Sequence, residues 1–410
     1  MVLPDGLSPT VEAIRRGAAS RQALVGRDGP LIEPVEGKNG YCSYTFVFED
    51  SVAPSVGVYL SAPQADNAYT RPMMRLDTSE DSLWVATVEA PSDLHLSYAY
   101  LPEPAPEALT DDEATRNLEE TSAVMRDIAA RLVPDPLNPW SVGLHMGDVV
   151  VSASVLRGPD APALDALLPI GGGQAEDELM QTELPFGSEQ TRRVWLSRPR
   201  DASTRAQLLV VLDGQAFVHL GLPQTLSRMQ NAGEVPPTAL VLVDSGGTVT
   251  RVSDLLYNDE LITFLQTQLV PWAEQQCNLS PWEGDRIVAG ASLGGSAACY
   301  VSTCASQTFG RAVAMSPAVY VEHAGEPAWF LKFLRSASSL PARVDVSVGI
   351  TEDLLIPDTR ELVDILRERG VEVHFEEYSG GHDVVGWLPQ LATALRTRQR
   401  ELRRANRDHI

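Results

Sequence analysis

The chain has 410 residues, 44% of them hydrophobic, with 55 acidic against 32 basic side chains for a net charge of −23. That length suggests two domains or one large domain with an appendage, and the apolar content is enough for a sizeable core. The acidity argues against nucleic-acid binding and repels anionic ligands at long range, and the lack of an apolar run of ~18 residues argues against a membrane span.

The first 27 residues are polar and interrupted by Arg15, Arg16 and Arg21, with no signal-peptide core, so a cytoplasmic location is expected. Thr10 is the expected cap of a short helix carrying Val11, Ile14 and Ala18. From about residue 38 the pattern turns to short, β-branched or alternating runs. Tyr41–Phe48, Val56–Leu60, Leu83–Val88 and Leu94–Tyr100 read as strands, separated by Pro, Asp, Asn and Ser turns. Their spacing predicts a small antiparallel β-sandwich whose role is packing and substrate shielding. Residues 102–140 are acidic and Pro-rich, with helical spacing over Thr110–Leu132 suited to a crossover or lid, and a turn-rich junction at Asp135–Trp140. The boundary is expected near 145, giving a β-sandwich-like domain with a helical linker over 1–145 and an α/β domain over 146–410. Gly171–Gly173 and Gln174–Glu178 read as a loop tip.

Beyond residue 180, strand and helix signals alternate. Arg193–Ser197, Gln207–Leu212, Ala239–Val243, Ile287–Ala289, Ala312–Met315, Val344–Ile350 and Glu372–Glu376 read as strands. Ile262–Gln275, Asp358–Arg369 and Leu391–Arg407 read as helices. This rhythm predicts a mostly parallel sheet with helices on both faces, whose sites form at the carboxyl ends of strands. Cys42, Cys277, Cys299 and Cys304 form no Cys-x-x-Cys pair, so zinc and redox motifs lack support and buried, reduced thiols are expected.

Gly290-Ala-Ser-Leu-Gly294 stands between a strand and an Ala-rich helix. This is the pattern of a nucleophile elbow, in which Ser292 sits on a sharp turn at a helix N-terminus. A serine hydroxyl needs a base, and the base needs an orienting acid. In this fold the order is Ser, acid, His. Three histidines qualify by order: His323 in a loop, His374 within a strand pattern, and His382 in the Ser379–Asp383 loop straight after the last strand, where the fold delivers its base. For the acid, Glu352 and Asp353 both follow the strand ending at Ile350, with Asp358 further on; position does not separate the first two. The backbone N–H of Leu293 is one oxyanion donor. Gly214, in the loop after an early strand, is the candidate for the other.

At these residues the chain resembles the enterochelin-esterase family, across most of its length. The residues carrying the resemblance are Leu212-Asp-Gly-Gln215; the Arg251–Leu261 segment with Asn258 and with Asp254 in place of Glu; Gly290–Gly295; Gly349-Ile-Thr-Glu352; and Gly380-Gly-His-Asp383 with Trp387. The β-rich part through Asp135–Pro139 is similar to that family's N-terminal domain. Asp353 stands where Pro is common, and the Trp that often follows the Leu-Asp-Gly motif is absent, with Phe217 nearby. The resemblance implies an α/β-hydrolase with Glu352 as its acid. It also implies hydrolysis of the trilactone esters of a ferric catecholate siderophore such as enterobactin, releasing iron in the cytoplasm, with no cofactor or resident metal. For such a trianion with aromatic faces, Arg251 is a plausible clamp and Trp387 a pocket wall. Arg192 and Arg193 read as solvated. A general carboxylesterase or thioesterase of the same fold, and a binding protein that holds the ferric siderophore without cleaving it, are the competing readings.

Overall fold

A computed structural model of the chain describes residues 5–62, 70–77, 82–102, 126–146, 149–163, 179–199, 201 and 203–408. Most of the expected 110–132 helix and all of the expected 171–178 loop tip lie outside the described residues; residues 126–131 are helical. The chain divides into two compact units. One comprises Met1–Leu164 with Gly349–Leu354 and Tyr378–Gly386, and the other Asp165–Val348, Leu355–Glu377 and Trp387–Ile410.

Among the described residues, ten strands build the first unit: β1 (Asp5–Gly6), β2 (Leu31–Pro34), β3 (Tyr41–Glu49), β4 (Gly57–Leu60), β5 (Thr70–Pro72), β6 (Met74–Asp77), β7 (Ser82–Pro91), β8 (His95–Leu101), β9 (Ser141–Met146) and β10 (Val149–Arg157). They form two antiparallel sheets, one ordered β1-β7-β3-β2 with β6 also on β7, the other ordered β5-β4-β8-β10-β9. Alternate side chains face inward, as the pleat requires, and Tyr44, Phe46, Val58, Leu60, Leu96, Tyr98 and Tyr100 fill the space between the sheets. Phe46 meets Tyr98 edge-on at 4.9 Å across that space. Burying each such ring contributes roughly 2–3 kcal/mol by area alone. The division falls after β10 rather than near 145, because β10 pairs with β8 over Ser154–Arg157. The Asp135–Trp140 junction is also part of this unit. Tyr98 donates to Asp135 at 2.6 Å, and Asn138 donates to Tyr98 and to the Val155 carbonyl at 3.0 and 2.9 Å. Helix α1 (Pro9–Arg15) starts two residues earlier than the Thr10 cap allows. Ser8 caps it, accepting from Val11 N at 3.4 Å, while Thr10 donates to Glu33 at 2.8 Å.

An eight-stranded sheet forms the second unit: β11 (Met180–Phe186), β12 (Gln190–Ser197), β13 (Gln207–Val211), β14 (Thr238–Val243), β15 (Arg286–Ala291), β16 (Arg311–Met315), β17 (Arg343–Gly349) and β18 (Glu372–Tyr378), in the order β11-β12-β14-β13-β15-β16-β17-β18. The hairpin β11–β12 is antiparallel and joins β14 antiparallel, while β14, β13, β15, β16 and β17 run parallel. The inner strands are buried at nearly every position, which is why they read as continuous apolar runs. The expected helix over 262–275 is three pieces: α-helical Asp259–Phe264, a π-turn over Leu265–Leu269, and α-helical Val270–Gln276. Pro271 explains the widening, since it has no N–H to donate and its ring crowds the carbonyl four residues back.

Arginines and carboxylates interlock at the amino ends of β15, β16 and β17. Arg343 grips Asp345 with two bonds of 3.1 and 2.7 Å and also meets Glu401. Arg311 lies 3.6 Å from Asp345 and 3.5 Å from Glu401, and Arg398 bonds Asp285 at 2.7 Å. Arg192 is likewise buried rather than solvated. It holds Asp254 at 2.6 and 2.9 Å and lies over the Phe186 ring, whereas Arg193 is half exposed.

Candidate active site

Ser292, Glu352 and His382 follow the carboxyl ends of β15, β17 and β18 respectively. Ser292 belongs to the second unit; Glu352 and His382 belong to the first.

The elbow is built from backbone crowding. Ser292 sits at φ 55°, ψ −124°, immediately before the helix α2 (Leu293–Cys304). Holding an L-residue there costs on the order of 1–3 kcal/mol, and the surroundings enforce it. Ser292 N donates to the Met315 carbonyl at 2.9 Å, and the Ser292 carbonyl accepts from Gly295, Ser296 and Ala318 at 2.9, 3.1 and 3.1 Å. A Cβ on Gly290 would stand 2.3 Å from the Gly294 oxygen, so only glycine lets strand and helix approach this closely.

Gly214 opens a short helix (Gly214–His219) directly after Asp213, which is itself left-handed at φ 55°. A Cβ on Gly214 would fall 2.5 Å from Val243 N. As first residues of helices, Gly214 and Leu293 have N–H groups with no intrahelical acceptor, the property an oxyanion donor needs. The Asp213 turn lies against the elbow helix, because a Cβ on Gly294 would be 3.0 Å from Asp213 Oδ2.

Arg251 is engaged differently from the clamp expected of it. Its fork grips Asp213, with Nε to Oδ1 and Nη2 to Oδ2 both at 2.8 Å, and Ser245 adds a 2.6 Å donor to Oδ1. Burial works to lower the arginine pKa, but the Asp213 charge and hydrogen bonds outweigh it and raise it overall. Trp387 donates from Nε1 to Ser316 Oγ at 2.9 Å, and Ser316 directly follows the Met315 that accepts from Ser292 N. Phe217 is core, at 2% exposure.

In the first unit, His382 Nδ1 lies 2.6 Å from Glu352 Oε2. Glu352 is fully buried, and its other oxygen accepts from Gly349 N at 2.6 Å. A carboxylate only accepts, so the proton sits on Nδ1 and Nε2 is left as the basic nitrogen. Of the three acids considered, Glu352 is the one placed against His382. Asp358 lies in the helix Ile356–Glu368, and burial raises its pKa. His374 is exposed on β18, and His323 packs on Trp329 and Tyr257.

The histidine loop is pinned throughout. His382 N donates to the Ser61 carbonyl at 2.6 Å, Thr351 Oγ1 to the Gly380 carbonyl at 2.9 Å, and His95 N to the Ser379 carbonyl at 3.0 Å. A Cβ on Gly381 would lie 1.9 Å from the Ser61 oxygen. The Gly-Gly of this motif therefore reflects close passage of the β-sandwich chain. Sequence reasoning singled out neither Asp213 as the partner of Arg251 nor Ser61 and Ser97 as supports; the Leu-Asp-Gly motif was the one available signal for the first.

The chain is similar to known esterases. Residues 187–397 match a family model described as "Putative esterase", and residues 43–167 match the N-terminal model of enterochelin esterase. The iron(III) salmochelin esterase of Escherichia coli O6:H1 (strain CFT073) is 28% identical over 376 residues, covering 87% of this chain and 88% of that protein. The iron(III) enterobactin esterase of the same strain is 25% identical over 358 residues, covering 85% and 87%. The structure of the enterobactin esterase FES from Shigella flexneri in the presence of enterobactin superposes with a TM-score of 0.73 at 23% identity, over 92% of this chain and 97% of that one. The fold is thus an α/β-hydrolase preceded by an all-β unit. Because the esterase match spans more than half of its length, the chain belongs to that esterase family.

Proposed function

We propose that this ester hydrolase opens the trilactone of a ferric catecholate siderophore by acyl transfer through Ser292. What carries the reading is that the siderophore-esterase relatives align across both units, in the order N-terminal domain then esterase. Glu352 holds His382 in the tautomer whose Nε2 accepts the Ser292 proton. Ser292 Oγ then attacks a lactone carbonyl. The N–H groups of Leu293 and Gly214 receive the oxyanion, each such donor being worth ~3 kcal/mol of barrier. The imidazolium, stabilised by Glu352, protonates the departing alkoxide. Water, deprotonated by His382, releases the linear product. No cofactor is required for this chemistry, since iron arrives as part of the substrate. Trp387 walls the pocket, and we place the enzyme in the cytoplasm, where its four free thiols are at home. No helix among the described residues is long and apolar enough to cross a membrane.

The engagement of Arg251 by Asp213, on a chain of net charge −23, favours one second reading, a general carboxylesterase. Incubating the protein with ferric and iron-free catecholate trilactones and with neutral acyl esters separates the two, with Ser292→Ala alongside. Serine-dependent release of linear catechoyl-serine fragments is the expected result. Turnover of simple esters alone would establish the generalist.

A further inference from the structure

Asp383 directly follows His382 and takes no part in the triad, yet it is 2% exposed and saturated with donors. Its Oδ2 accepts from both the backbone N–H and the hydroxyl of Ser97, each at 2.6 Å. Its Oδ1 accepts from Val385 N at 2.9 Å and Gly386 N at 3.3 Å, capping the helix Val384–Asp408. Burying an ionised carboxylate is costly unless donors replace its water, and charge-assisted bonds this short do so.

These bonds close a ring. The Ser97 hydroxyl has one hydrogen and gives it to Asp383, so in the 2.6 Å contact between Ser61 and Ser97 the donor is Ser61. Ser61 N donates to the Ser97 carbonyl at 3.1 Å, and the Ser61 carbonyl accepts from His382 N at 2.6 Å. Ser97 lies in β8, the middle strand of its five-stranded sheet. His382 is therefore fixed on one side by its own N–H and on the other by the next residue's side chain, both anchored to neighbouring strands of the sandwich. A helix cap alone would use one carboxylate oxygen; here the second is committed to Ser97.

We propose that Asp383 is a positioning residue for the catalytic base, and that through Ser97 the β-sandwich unit sets the register of His382. This rests on the assignment of His382 as the base. The test uses the full chain as Asp383→Asn, Ser97→Ala, the double variant, His382→Ala and wild type. Two quantities are measured per folded protein, with folding followed by near-UV circular dichroism. One is kcat and KM on p-nitrophenyl butyrate; the other is the rate at which a fluorophosphonate modifies Ser292. Asp383→Asn is expected to lower both kcat and the labelling rate about 10- to 100-fold, the scale of a displacement of ~1 Å in a catalytic group. KM should stay within about twofold. Ser97→Ala should lose about 3- to 10-fold, and the double variant no more than Asp383→Asn, because both act through one contact. Folded Asp383→Asn and Ser97→Ala with wild-type kcat and labelling would overturn the proposal, as would losses confined to KM. If Asp383→Asn fails to fold, Ser97→Ala alone decides by the same criteria. Wild-type labelling in His382→Ala would instead remove the base assignment, and the positioning role with it.

Discussion

The candidate nucleophile and the acid–base pair are held by opposite means. The nucleophile is fixed by its immediate neighbours in sequence. Gly290 and Gly294 leave no room for side chains, and Ser292 is forced to φ 55° within one strand–turn–helix. The acid and base are fixed from afar, since the loop bearing His382 is pinned to Ser61, Ser97 and His95 of the sandwich, and the loop bearing Glu352 bonds that loop through Thr351. The strained turn presents the serine hydroxyl wherever it forms. A base on a loop needs a frame, and here sandwich strands of its own unit supply it.

The largest effects should come from the nucleophile side. Ser292→Ala should abolish turnover, by about 10⁴- to 10⁶-fold in kcat, with an unchanged melting temperature. Gly290→Ala should instead fail structurally, because its Cβ meets the Gly294 carbonyl at 2.3 Å; a soluble variant of wild-type melting temperature would contradict the crowding. Next comes the acid. Glu352→Gln should lower kcat by about 10²- to 10⁴-fold, whereas Asp353→Asn should stay within about threefold. The reverse order would break the pairing with His382. Arg251→Ala sharpens the comparison further. Its fork serves Asp213, beside Gly214, so kcat should fall about tenfold on a ferric trilactone and on a neutral ester alike. A loss confined to the ferric anion would restore the clamp. Smallest is the thiol chemistry. Burial pushes the Cys299 thiol up to about 12, so iodoacetamide at pH 8 should leave it unmodified in the folded enzyme, by peptide mass mapping. Cys304, expected to be buried, is exposed.

Legibility followed the same divide. Ser292 and His382 stood out in the sequence because motif and chain order are local signals, as were the apolar inner strands of the sheet. Contacts between distant residues left no such mark. Ser97 and Asp383 are 286 positions apart. Arg192 read as solvated because its partner Asp254 lies 62 positions on, and two long polar side chains look alike in sequence whether exposed or paired. Position left Glu352 and Asp353 equivalent; only the folded chain distinguishes which reaches His382. Hairpin strand β11 escaped notice because Gln181, Glu183 and Pro185 on its exposed face are poor strand formers, and a π-turn before Pro271 lay inside an apparently regular helix.

The arginine–carboxylate network at the amino ends of the strands gives the last helix a task unrelated to catalysis. Glu401 reaches both Arg311 and Arg343, each 5–6% exposed. Shortening the chain one residue at a time from its end should therefore meet a cliff, not a slope. Removal of residues beyond Arg403 should leave yield and melting temperature nearly intact. Removal of Glu401 would leave Asp345, with the exposed Glu372 on Arg343, to answer two buried guanidinium groups, and soluble expression should fall sharply there. The same geometry recommends the C-terminus beyond that point for a purification tag.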